Sequence, residues 1–131
     1  MRVLIVLAAL TLLGGCAVGW PDTALYEGIP QPEGPGSNST NPADRPTNVM
    51  LRQRTQRLFP AGSPEAPLLD WLATQKMSVR RYPDQDGGVR GSGVRYLGSW
   101  PCNRSVRVTW TASSTGVIET ITADEGDTGC F

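Results

Sequence analysis

The apolar period of this chain changes once, at Lys76, and that change confines what it can fold into. Upstream, Ser63-Pro64-Glu65-Ala66-Pro67 leads into Leu68, Leu69, Trp71 and Leu72, which recur at helical spacing. Ser63 is a good N-cap, Pro64 suits the first helical position, and Glu65 sets a negative charge at the positive end of the helix dipole. Inside a helix the Pro67 ring would oppose the carbonyl of Ser63, so the regular helix is expected to begin nearer Ala66. Downstream of Lys76 the period is two. Met77 to Tyr82 reads as a first strand, Gly93 to Trp100 as a second and Arg104 to Ala112 as a third. In the third, Val106, Val108 and Trp110 face one way while Arg107, Thr109 and Thr111 face the other. Ser113 to Gly116 is a hairpin turn and Val117 to Ala123 a fourth strand.

A shorter helix is expected earlier, from Asn48 to Phe59, started at Thr47 or Asn48 and stopped by Pro60. Its apolar residues Met50, Leu51 and Leu58 make a thin stripe, with Arg52, Arg54 and Arg57 elsewhere on its surface. It is either a surface element packed on the domain or a partner-binding helix on the preceding segment. Helices first and strands after them give an α+β class: one or two short helices packed on a three- to four-stranded antiparallel meander.

Residues 17–48 are poor in aliphatics and rich in proline, glycine, serine and asparagine, and cannot bury enough apolar area to offset their ordering entropy. They read as a disordered tether before a domain at 49–131. Trp20 and Tyr26 would rest at a membrane interface or in a partner groove. Before the tether, Arg2 precedes an apolar run from Val3 to Leu13, too short to span a bilayer, which reads as the core of a secretory leader covering residues 1–15. Leu13-Gly14-Gly15-Cys16 resembles the bacterial lipobox, which implies a lipidated cysteine at Cys16 and a membrane held through that anchor. Cysteine parity points the same way. Of three cysteines, lipidation of Cys16 leaves Cys102 and Cys130 as an even pair, able to form one disulfide in an oxidising compartment. Ala17 after the cysteine, in place of the aspartate that retains many lipoproteins in the inner membrane, makes the outer membrane the expected destination.

The precursor is neutral, and nothing in its charge suggests a nucleic-acid binder. Apart from Arg2, every basic residue lies between Arg45 and Arg107, where the only acids are Glu65, Asp70, Asp84 and Asp86. This clustering is read either as arginines paired locally or as a basic face toward an anionic surface or partner. Arg52, Arg54, Arg57 and Trp71 are the candidate partner face.

The chain has no histidine, which removes the usual general base and the commonest metal ligand. Asp84-Gln85-Asp86-Gly87 and Asp124-Glu125-Gly126-Asp127 lack the pattern of a calcium loop and read as solvated turns. Gly87 to Gly93 is glycine-rich but precedes a strand, so a mobile hairpin loop is expected in place of a phosphate cradle. No catalytic residue, cofactor or metal is assigned.

Phe59-Pro60-Ala61-Gly62-Ser63-Pro64, then Leu69-Asp70-Trp71-Leu72, and the tryptophan-bearing strand before Gly116-Val117-Ile118 resemble small lipoproteins of the BamE (SmpA/OmlA) type over roughly residues 59–123. The resemblance implies a lipidated cysteine, a tether, helices near the start of the domain and an antiparallel sheet. The expected function is a non-catalytic interaction or structural role in the envelope, as an accessory to an assembly, with an envelope protein as partner. The alternative is a small envelope enzyme or ligand-binding lipoprotein acting on cell-wall or lipid substrates.

Overall fold

The structure, a computed structural model, describes Leu25, residues 42–97 and residues 102–130, with backbone alone at 42, 97, 102–103 and 127–130. The leader, Cys16, Trp20, Tyr26 and the remaining tether up to residue 41 lie outside the described residues, as does Leu97-Gly98-Ser99-Trp100-Pro101 beyond its first residue. A 3-10 turn, Pro42–Asp44, precedes helices α1 (Pro46–Leu58) and α2 (Glu65–Thr74). Four strands follow: β1 (Ser78–Pro83), β2 (Val89–Leu97), β3 (Cys102–Ala112) and β4 (Ile118–Cys130). They form one antiparallel meander in the order β1-β2-β3-β4, so the α+β arrangement expected from the change of period is the one observed.

α1 starts at Pro46, whose missing N–H and fixed φ suit a first helical position. It ends at Leu58, where the Phe59 N–H bonds the Thr55 carbonyl and Pro60 forbids continuation. Its inward face is mostly polar: Thr47, Asn48 and Thr55 are buried beside Leu51. Asn48, expected near the cap, is therefore interior, and the folded body begins ahead of the expected boundary at residue 49.

α2 begins at Glu65 with Pro64 as its N-cap; Ser63 does not cap it, and its hydroxyl donates instead to the Pro60 carbonyl at 2.6 Å. Pro67 is the third helical residue and is tolerated there for a visible reason. An N–H at that position has no intrahelical partner to lose, and the Ser63 carbonyl one turn back accepts the Ile118 N–H at 2.8 Å. At the other end Lys76 takes a left-handed φ of 56°, the Met77 N–H bonds the Leu72 carbonyl and the Lys76 N–H bonds that of Ala73, each at 3.0 Å. This is a Schellman ending with lysine where glycine is usual.

Two strand boundaries correct the sequence reading. β2 begins at Val89, so most of Gly87 to Gly93 is strand and not a mobile loop; the turn is confined to Asp84–Gly88, closed by the Asp84 N–H on the Gly88 carbonyl at 2.8 Å. The glycines serve packing. A side chain at Gly91 would meet the Trp110 ring, and one at Gly93 would press on Leu72 and Met77. β4 continues to Cys130 and absorbs Asp124-Glu125-Gly126-Asp127, which is therefore no solvated turn.

Val106, Val108, Trp110 and Ala112 of β3, with Ile121 and Ala123 of β4, face the helices and meet Leu51, Leu68, Trp71 and Leu72. Leu25 joins this core at 1% exposure. One point of the expected tether is thus built into the domain.

Candidate interaction face

The helix-covered side of the sheet is closed by two polar clusters. In the first, Glu65 is buried at the N-terminus of α2 and receives Arg81 in a fork, Nε to Oε1 at 3.0 Å and Nη2 to Oε2 at 2.7 Å. Trp110 Nε1 donates to the same Oε1 at 2.8 Å. The cross-strand register sets Arg81, Gly91 and Trp110 in one row, and the bare backbone of Gly91 leaves room for the indole. In the second cluster Asn48 lies along the outer edge of β4. Its Nδ2 donates to the Glu125 carbonyl at 3.2 Å and its Oδ1 accepts the Glu125 N–H at 2.7 Å, as a neighbouring strand would do. The Glu125 carboxylate, facing the core side, is ion-paired with Arg104. Gln56 Nε2 adds a bond to the Ile121 carbonyl at 3.3 Å. Such fully engaged groups hold the fold.

Only part of the candidate partner face reaches the surface. Trp71 is 2% exposed and packs on Phe59 with ring centroids 5.2 Å apart, which removes it from any such face. Its position at helical spacing with Leu68 and Leu72 was a core signal. Arg52 donates to the Ala43 carbonyl at 3.0 Å and Arg54 to the Leu25 carbonyl at 3.2 Å, so both fasten the incoming chain to α1 while keeping their charge. Arg57 is exposed in the last turn.

The side of the sheet away from the helices carries no element among the described residues. Strand alternation and the register assign its rows: Tyr82, Arg90, Thr111 and Thr120; then Arg80, Ser92, Thr109 and Thr122; then Val94, Arg107 and Asp124, with Tyr96 beyond them on β2. Tyr82 and Tyr96 are 53% and 72% exposed. Three arginines against one aspartate make the face basic, and the Thr111 and Thr120 hydroxyls share a hydrogen bond at 2.7 Å in its first row. At its rim, Arg90 Nε donates to Asp84 Oδ2 at 2.9 Å. That bond, with the Gln85 N–H on the other carboxylate oxygen, holds Asp84 below its ordinary pKa. The sequence announced the β3 part of this face through Arg107, Thr109 and Thr111. β1 was expected as a strand from Met77 to Tyr82, whereas the start of β2 was hidden because its glycines imitate a loop.

Cys102 and Cys130 face one another in the β3–β4 register. Antiparallel partners have Cα atoms about 4.5–5.5 Å apart, within the span of a disulfide. Among the described residues no group of three or more Cys, Asp and Glu is placed to hold a metal ion, and no helix is long and apolar enough to cross a membrane. No family model matches the chain, and no curated protein and no solved structure matches it either.

Proposed function

We propose that this chain is a lipid-anchored envelope protein whose work is binding, not catalysis. The open sheet face carries the reading. Exposed tyrosines beside arginines and hydroxyls, on a rigid sheet whose other side is packed, form a surface suited to a protein partner with acidic and polar groups. The anchor is Cys16, on the strength of Leu13-Gly14-Gly15-Cys16, and Ala17 favours the outer membrane, with the domain on its periplasmic side. In an oxidising compartment Cys102 and Cys130 form a disulfide that fastens the end of β4 to β3. The order of helices then antiparallel strands also fits an accessory subunit of the BamE layout, here with a four-stranded sheet.

The test is photocrosslinking in cells from position 109, at the centre of the open face, in the native chain, in Arg107→Glu and in Cys16→Ser. A specific protein adduct lost in Arg107→Glu, together with release of Cys16→Ser from the membrane fraction, is the expected result. Failure of position 109 to yield any adduct that responds to charge reversal removes the binding face. Unchanged membrane association of Cys16→Ser removes the anchor.

A further inference from the structure

Leu25 changes what the segment after Cys16 can do. Its side chain is in the core and its carbonyl is held by Arg54 of α1, so the chain enters the domain beside that helix. Only residues 17–25 then separate the anchor from a fixed point on the body. Whatever their path, they span at most about 30 Å. α1 is itself about 20 Å long. The helix is thus the element that the anchor holds nearest.

Its charge fits that position. Pro46–Leu58 contains Arg52, Arg54 and Arg57 and no acid. Gln53 and Arg57 lie one turn apart on its exposed side, and Leu58 adds a partly exposed apolar group at its end. We infer that α1 lies against the anionic phospholipid headgroups of the bilayer that holds Cys16, with Leu25 as the clamp that keeps it there. This rests on the lipidation proposed above. Each arginine near an anionic surface multiplies partition by about five-fold, and the short leash supplies the local concentration. If the leash ran to Pro42 instead, the −3/2 power dependence on length would lower that concentration about five-fold. Because the helices cover one side of the sheet, the arrangement turns the open face away from the bilayer, toward partners in the periplasm.

The experiment uses the full lipidated protein in vesicles of phosphatidylcholine with phosphatidic acid, and of phosphatidylcholine alone. A photocrosslinking amino acid stands at position 53 on α1 or at position 120 on the open face, and lipid adducts are measured by mass. The expected result is several-fold more lipid adduct from 53 than from 120 with phosphatidic acid present, and loss of the contrast without it. Arg57→Gln lowers the yield from 53 about five-fold. Inserting about twenty glycine and serine residues between Cys16 and Leu25 lowers it about six-fold while leaving the core intact; Leu25→Ser, which opens the core, is the companion variant. Equal yields from 53 and 120, a contrast that survives in phosphatidylcholine alone, or indifference to the insertion overturns the inference. Mass analysis of the N-terminus separates the two levels: an unlipidated Cys16 overturns anchor and inference together, whereas a lipidated protein with equal yields overturns only the inference.

Discussion

Gly91→Ala is a small change with a large expected cost. A methyl group built there lies 2.0, 2.1 and 2.6 Å from Cε2, Cζ2 and Cδ2 of Trp110. Carbon atoms need about 3.5 Å, so the ring must retreat by more than about 1 Å. The ring is buried and its Nε1 is bonded to Glu65 at 2.8 Å, so a movement of that size breaks the bond. Overpacking costs about 1–3 kcal/mol, and losing a hydrogen bond to a carboxylate about 1.5–3 kcal/mol. Replacing glycine within a strand returns about 0.5–1 kcal/mol. The net expectation is a loss of about 3 kcal/mol, a large share of the 5–10 kcal/mol or so that a domain of this size has. Gly93→Ala is the control. There the nearest atoms are the Leu72 methyls at 3.2 and 3.4 Å and the Met77 sulfur at 3.4 Å, the ends of flexible side chains, and the cost stays below about 1 kcal/mol. Urea unfolding of the Cys16→Ser form, followed by far-UV circular dichroism, gives both values from shifts in midpoint at constant slope. Adding Trp110→Leu to Gly91→Ala should cost less than the two changes summed. Equal losses for Gly91→Ala and Gly93→Ala would refute the claim that Gly91 exists to admit the indole.

Asn48→Ala removes both bonds to the Glu125 backbone and should destabilise by about 2–3 kcal/mol, with faster hydrogen exchange at the Glu125 amide as the local readout. Lys76→Gly relieves the left-handed φ at the end of α2 and should stabilise by about 0.5–1 kcal/mol, seen as a raised urea midpoint. Asp84 is held below its ordinary value of 3.8 by the Arg90 side chain first and the Gln85 N–H second. Its pairing is therefore fully present above the unfolded pKa and is lost as pH falls through the lower folded one. A carbon-detected NMR titration should find it ionised below pH 3.8, and Arg90→Gln should bring it back toward the ordinary value. Oxidised protein should show one bond between Cys102 and Cys130 by peptide mapping, and its removal in the double serine variant should cost about 3.5 kcal/mol in the chain-entropy picture.

What could be read before the structure follows from where local chemistry coincides with packing. β3 was clear because its alternation separates Val106, Val108 and Trp110 from Arg107, Thr109 and Thr111, and one side of it is buried. α2 was clear because Leu68 and Leu72 repeat at helical spacing. β2 was misread at its start because Gly91 and Gly93 answer to side chains arriving from β3 and α2, which no local pattern contains. The end of β4 was misread because Glu125 is tolerated on the core side only through Arg104, a partner on another strand. Trp71 was placed on a partner face although its spacing from Leu68 and Leu72 put it on the apolar, covered side of α2. Leu25 gave no periodic signal at all, being a lone leucine in a segment whose composition otherwise argues against packing.

The Asn48 amide on β4 has a consequence for self-association. An antiparallel sheet with two bare borders can add copies at both and grow into a fibre. Here one border is blocked at Ile121 and Glu125 by side chains of α1, while β1 at the opposite border is exposed along its length. A chain with a single receptive border that pairs with its own kind must do so like to like. That contact is two-fold and consumes both borders at once, so growth stops at a pair. The helix that lies along β4 thus sets an upper limit on how far the sheet can spread.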